Sequence, residues 1–297
     1  MHIPLFEGVG TAIVTPFDED NNINFDRFGE LISFQINNGI DAIIVAGTTG
    51  EPATLGAYEY RDLVENAIIN VGGRIPVIVG VGSNNTKEAI EKTRLASNLG
   101  ADGILVVTPY YNKTSQLGLI KHYEAICGCT KLPAILYNVP SRTGMTVEID
   151  TYEHLAKIPN LIGIKEASGN ISYITKILAK YSKRFDVYSG NDDIIVPVMS
   201  LGGKGVISVA SNIIPDVIFD IFEFCYEGNY IESSRLQLMY LDLINALFSE
   251  VNPIPIKSAL KLIGFDCGSP RPPLWDLSYE KLNQLRTIMY KHHITVT

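Results

Sequence analysis

Eight short apolar, β-branched runs, each bounded by Gly or Pro and separated by longer amphipathic stretches, restrict what this chain can fold into. They occupy residues 10–14, 41–46, 76–81, 103–107, 133–137, 161–165, 185–189 and 205–209, with helix-like segments at 25–38, 57–71, 86–99, 116–127 and 172–181 between them. This alternation is the signature of βα units around a parallel sheet, and eight units are what a (β/α)8 barrel requires. An open doubly wound sheet is the alternative, but it carries a Gly-x-Gly-x-x-Gly turn after its first strand, where Val14-Thr15-Pro16-Phe17 stands here. The sequence therefore predicts an α/β fold, a (β/α)8 TIM barrel over residues 1–228. Beyond it the strand signal stops. Three more helices are expected at 230–248, 254–264 and 278–292, a C-terminal helical extension over residues 229–297 that packs on the barrel or on a partner subunit.

With 46% hydrophobic and 19% charged residues, the 297-residue chain can bury a large core. A formal charge of -8 and scattered basic residues argue against a nucleic-acid partner. The start, Met1-His2-Ile3-Pro4-Leu5-Phe6-Glu7, lacks the pattern of a secretory leader, and no run is long enough to cross a membrane, so a cytoplasmic protein is expected. Cys127-Gly128-Cys129 is half of a metal-ligand pattern, yet histidines 2, 122, 154, 292 and 293 supply no second half. Inert thiols are the expectation, with no metal and no cofactor.

In a (β/α)8 barrel the reacting groups sit at the C-terminal ends of the strands. Lys165 ends the sixth. A lysine there loses its hydration, which favours the neutral amine, and a neutral amine attacks ketones to give an iminium that acts as an electron sink. The other reading is a rim lysine paired with Glu166. Tyr137, ending the fifth strand, is placed either as a proton shuttle or as a core tyrosine. Arg142, expected in a Pro/Gly-bearing loop five residues further on, offers the planar fork that clamps a carboxylate, although arginines are more often simply at the surface. Thr48 and Thr49, between glycines, supply hydroxyls for a second carboxylate or cap a helix. Gly202-Gly203-Lys204-Gly205 looks like a phosphate loop but precedes its strand, on the wrong end of the barrel, and Asp192-Asp193 reads as the cap of the following helix.

Four motifs, Gly47-Thr48-Thr49-Gly50-Glu51, Thr108-Pro109-Tyr110-Tyr111, Tyr137-Asn138-Val139-Pro140-Ser141-Arg142-Thr143-Gly144 and Gly163-Ile164-Lys165-Glu166, resemble the dihydrodipicolinate synthase family. That family lies in the acetylneuraminate lyase superfamily of class I aldolases. The likeness runs from about Glu7 into the C-terminal helices, including Asn252-Pro253-Ile254-Pro255-Ile256-Lys257.

The resemblance implies that Lys165 forms an imine with pyruvate and that the enamine condenses with L-aspartate 4-semialdehyde, in lysine and diaminopimelate biosynthesis. It also implies a proton relay of Tyr137, Thr48 and Tyr111, with Tyr111 crossing a dimer interface. Thr49 would hold the pyruvate carboxylate and Arg142 that of the aldehyde, with Gly190 and Ile207 lining the pocket. The implied assembly is a homotetramer, a dimer of tight dimers. Asn84, Glu88 and Tyr110 match an effector pocket, but Ala57 and Tyr60 replace its imidazoles, so weak or absent inhibition by lysine is expected.

Three other functions compete. A sugar-acid lyase of the same superfamily would share Lys165 and Tyr137 but not Arg142. A catalytically silent barrel would have lost one of the three, and a metal-dependent aldolase would need His or carboxylate ligands at strand ends.

Overall fold

The computed structural model describes residues 4–296, so Met1, His2, Ile3 and Thr297 lie outside it. Eight parallel strands close into a barrel in sequence order. They are β1 Gly8–Ala12, β2 Ala42–Val45, β3 Val77–Gly80, β4 Gly103–Val107, β5 Ala134–Asn138, β6 Leu161–Glu166, β7 Asp186–Ser189 and β8 Gly205–Ser208. The seam between β8 and β1 pairs Gly8 with Gly205 and Thr11 with Ser208. Closure brings the two backbones so near that a Cβ on Gly205 would lie 1.8 Å from the Gly8 carbonyl oxygen. Only glycine fits there.

The two-residue alternation of a strand divides the apolar side chains into two layers. Ala42, Ile44, Ile78, Leu105, Ile135, Tyr188 and Ile207 fill the barrel interior. Ile43, Val45, Val79, Val106, Leu136, Ile164 and Val187 face the surrounding helices. Phe6, ahead of β1, stacks on the Tyr188 ring at 4.4 Å and accepts the Tyr188 hydroxyl at its carbonyl.

The helices within the barrel repeat are α1 Phe25–Asn37, α2 Ala57–Val71, α3 Thr86–Leu99, α4 Gln116–Cys127, α5 Pro140–Thr143, α6 Thr151–Leu155, α7 Ile171–Tyr181, α8 Ile195–Ser200 and α9 Pro215–Tyr226. Their starts are written in the sequence. Asn24, Asn85, Ser115 and Asn170 each accept a first-turn N–H at the N-cap, and Pro140 and Pro215 occupy positions where the missing N–H costs nothing.

Three expectations need correction. The first strand lies two residues earlier than 10–14, because Ile13 and Val14 belong to the connection leaving the barrel mouth. They are buried all the same, which makes the apolar run longer than the ladder. The helix expected at 230–248 is two, α10 Tyr230–Met239 and α11 Leu241–Ala246, broken at Tyr240. After the break Asp242 receives both Lys291 and His292 from the last helix, so α11 turns to dock there. The extension thus has four helices, completed by α12 Ile254–Leu262 and α13 Tyr279–Lys291. Finally, Arg142 stands on the short helix α5 rather than in an irregular loop.

Among the described residues no helix is long and apolar enough to cross a membrane. Cys127 is buried within α4, its thiol pushed up to about 12 by burial, and Cys129 donates its Sγ to the Ile126 carbonyl. The Gly202–Gly205 loop enters β8 from below, and Lys204 pairs with Glu7 at 2.8 Å.

Candidate active site

Lys165 and Tyr137 are register partners on β6 and β5. Alternation turns Lys165 inward while Glu166, the next residue, points to the outer layer. There the Glu166 carboxylate accepts from Asn138 Nδ2 at 2.8 Å and from the Ser168 N–H at 2.7 Å. The rim ion pair of Lys165 with Glu166 does not form. Lys165 is 5% exposed, its Nζ 4.4 Å from the centroid of the Tyr137 ring. Burial pulls its ammonium down to about 7, with the Arg142 charge adding to the shift and the Asp192 charge opposing it. Gly190 leaves room for this side chain, since a Cβ there would meet Ala167 Cβ at 2.6 Å and Lys165 Cε at 3.2 Å.

A cavity of about 730 Å³ opens over this end of the barrel, with Thr48, Tyr137, Arg142 and Asn252 in its wall. The Thr48 hydroxyl is within hydrogen-bonding reach of the Tyr137 phenol. Burial raises the phenol, and Arg142 and Thr48 oppose that. Thr48 and Thr49 belong to a one-turn 3-10 segment, Thr48–Gly50, and neither side chain caps a helix. Thr49 is buried and accepts Asn252 Nδ2 at 3.0 Å; Arg142 Nη2 donates to the Asn252 carbonyl at 3.4 Å. Ile207 is sealed in the barrel interior. Tyr111 is not brought to the cavity. It is 91% exposed, with φ at 65°.

The same cavity continues to Tyr60, Glu88, Lys92 and Tyr110. Glu88 accepts Ser83 Oγ at 2.9 Å and the Lys92 ammonium at 2.8 Å, which holds its carboxyl below the usual range. Lys92 Nζ lies 5.2 Å from the Tyr60 ring centroid, and the Tyr60 hydroxyl donates to the Gly80 carbonyl. Asn84 contributes a carbonyl that accepts Asn112 Nδ2.

Two residues that hold site elements together escaped the sequence reading. Asp192, expected to cap its own helix, instead accepts the N–H groups of Val209 and Ala210 past β8, each at 3.0 Å, with Ser208 also within reach. Burial raises its carboxyl, and those donors together with Lys165 oppose the rise. Asn252 had only its place in a motif to mark it. No signal local to either residue reveals the long-range contact it makes.

A buried amine whose pKa is lowered, a phenol within reach of a hydroxyl, and a guanidinium in the cavity wall can together form an imine, move its protons and orient a carboxylate. Among the described residues no group of three or more His, Cys, Asp or Glu side chains could hold a metal ion.

The sequence profile of the Dihydrodipicolinate synthetase family matches residues 5–292. A 4-hydroxy-tetrahydrodipicolinate synthase of Caldicellulosiruptor bescii is 48% identical over 292 residues, covering 98% of this chain and 99% of its own. The dihydrodipicolinate synthase of Acinetobacter baumannii, solved in complex with pyruvate, superposes with a TM-score of 0.95 at 39% identity, over 97% of this chain and 99% of that one. The enzyme from Cyanidioschyzon merolae, solved with lysine bound, gives 0.95 at 42% identity over 98% and 100%. The chain belongs to the dihydrodipicolinate synthetase family.

Proposed function

We propose that Lys165 carries the 4-hydroxy-tetrahydrodipicolinate synthase reaction of this lyase, joining pyruvate to L-aspartate 4-semialdehyde. The neutral amine adds to the pyruvate ketone, and loss of water gives the iminium. A proton leaves the methyl carbon, and the resulting enamine attacks the aldehyde carbon, which becomes an alcohol. The amine of the second substrate then attacks the iminium carbon and expels Lys165, closing the ring. One water is released overall, and no external oxidant, reductant or metal is needed.

The observation that carries this reading is the buried, unpaired Lys165 amine against the Tyr137 ring, with Thr48 in reach of the phenol. Tyr137 and Thr48 relay protons as the carbinolamine forms and collapses. Thr49 takes the pyruvate carboxylate and Arg142 that of the aldehyde; Gly190 and Ile207 shape the pocket. Tyr111, exposed in the single chain, completes the relay from a partner subunit in a homotetramer built from tight dimers. We place the enzyme in the cytoplasm, in lysine and diaminopimelate biosynthesis; four unpaired thiols suit a reducing compartment.

Asn84, Glu88 and Tyr110 stand where an effector would bind, but Glu88 already holds the Lys92 ammonium. This supports weak or absent inhibition by lysine. The assay that tests the function supplies pyruvate with either aspartate semialdehyde or a sugar aldehyde. Consumption of the semialdehyde is expected, and consumption of the sugar alone would overturn the assignment.

A further inference from the structure

The helical extension reaches back over the barrel mouth and takes hold of one turn, the segment from Thr48 to Glu51. Asn252 donates its side-chain amide to Thr49 Oγ1 at 3.0 Å. Lys257, on α12, places Nζ 2.8 Å from Glu51 Oε1, with the side chains 2% and 1% exposed. The Arg271 N–H donates to Glu51 Oε2 at 2.8 Å. Both oxygens of one buried carboxylate are therefore held by the extension. The same two cationic side chains lie on a single ring of the barrel, Lys257 Nζ 4.1 Å and the Arg271 guanidinium 4.2 Å from the Phe17 centroid. Arg271 Nη1 continues to Glu59 on α2 at 2.9 Å.

Docking four helices on a barrel needs only apolar contact. A sealed ion pair costs desolvation that a well-packed apolar pair avoids, so its use here calls for a reason beyond adhesion. Direction is that reason. Glu51 has φ at 54°, a left-handed conformation disfavoured for a residue with a side chain. It directly follows the 3-10 turn that presents Thr48 and Thr49. Apolar packing leaves such a turn free to rotate, whereas a carboxylate ion-paired at one oxygen and hydrogen-bonded at the other fixes it.

We propose that Glu51, Lys257 and Asn252 are positioning residues for the reaction, a clamp by which the C-terminal extension sets where Thr48 and Thr49 stand. The clamp rests on the reading of Thr49 as the ligand of the pyruvate carboxylate. It acts through Thr49 and not through Lys165, so it controls substrate placement and leaves the amine's acidity alone.

The test measures four quantities on the full-length enzyme: the pyruvate concentration giving half-maximal borohydride trapping, the pH midpoint of that trapping, kcat, and the melting temperature. Lys257→Met, Asn252→Ala, Thr49→Val and the double variant Glu51→Gln/Lys257→Met are compared. Lys257→Met leaves Glu51 buried without its partner and lowers the melting temperature. The double variant removes the orphan charge and recovers much of it. A misplacement near 1 Å costs on the order of 100-fold, so the half-saturating pyruvate concentration is expected to rise about 10- to 100-fold in the double variant. Asn252→Ala, which strands no charge, raises it in the same direction. The pH midpoint stays where it is in both.

Native pyruvate dependence in the double variant and in Asn252→Ala, while Thr49→Val is impaired, overturns the clamp and leaves the Thr49 reading standing. Native dependence in Thr49→Val overturns both. Should the Lys257 variants fail to fold, Asn252→Ala alone decides in the same terms.

Discussion

At neutral pH Lys165 divides between ammonium and amine, because burial brings its pKa to about 7 from the ordinary lysine value of 10.5. Only the amine attacks pyruvate, so kcat/KM for pyruvate should fall tenfold per pH unit below about 7 and level off above it, as a pH–rate profile will show. The same shift has a stability consequence. Between about 7 and 10.5 the unfolded chain binds a proton at this residue that the folded chain does not, so native stability rises with pH across that window. Lys165→Met lacks the dependence. Its melting temperature should exceed the native value near pH 7, and the gap should narrow towards pH 10; a constant gap would contradict the shift. Tyr137→Phe keeps the ring against Lys165 but removes the phenolic proton of the proposed relay, and kcat should drop by about 10²–10⁴-fold with the fold intact. Lys165 stood out in the sequence because a cation ends an otherwise apolar run, although that run alone left an ion pair with Glu166 equally open. Asp192 did not stand out, because its bonds go to residues 17 and 18 positions away on the neighbouring strand end.

Among the elements, periodicity and caps gave the helix ends well, and α2, α3 and α4 begin and end where the apolar pattern places them. The break at Tyr240 escaped that pattern, since α10 buries the polar Ser233 and Gln237 and leaves Ile231, Leu238 and Met239 exposed, so no apolar stripe marks where it ends. What turns the chain is the distant claim of Lys291 and His292 on Asp242. Strand identity was likewise clear while the position of β1 was not: burial continues through Ile13 and Val14 after the ladder ends. At the end of β7, a Cβ on Gly190 would meet Ala167 Cβ at 2.6 Å, the Glu166 carbonyl oxygen at 3.1 Å and Lys165 Cε at 3.2 Å. Gly190→Ala should leave the circular dichroism spectrum unchanged and lower trapping of pyruvate by at least about tenfold, because the added methyl competes with Lys165 Cε and Ala167 Cβ for one space.

For the molecule as a whole, the barrel order followed from counting eight runs, but which residues meet at its mouth depends on closure and on the extension. The proposed relay includes Tyr111, which in the single chain is exposed and does not line the cavity. If a partner supplies it, mixing protomers of Tyr111→Phe with protomers of Lys165→Ala should regain activity that neither has alone, and no regain would place Tyr111 outside the relay. Lys92 sets a second expectation: the native enzyme should keep its rate at millimolar lysine, and Lys92→Met, by freeing Glu88, should make it more sensitive in a lysine titration. The central claim is the amine itself. Borohydride reduction in the presence of pyruvate, followed by peptide mapping, should find a carboxyethyl adduct on Lys165, whereas an adduct on another residue, or none at all, would contradict the mechanism.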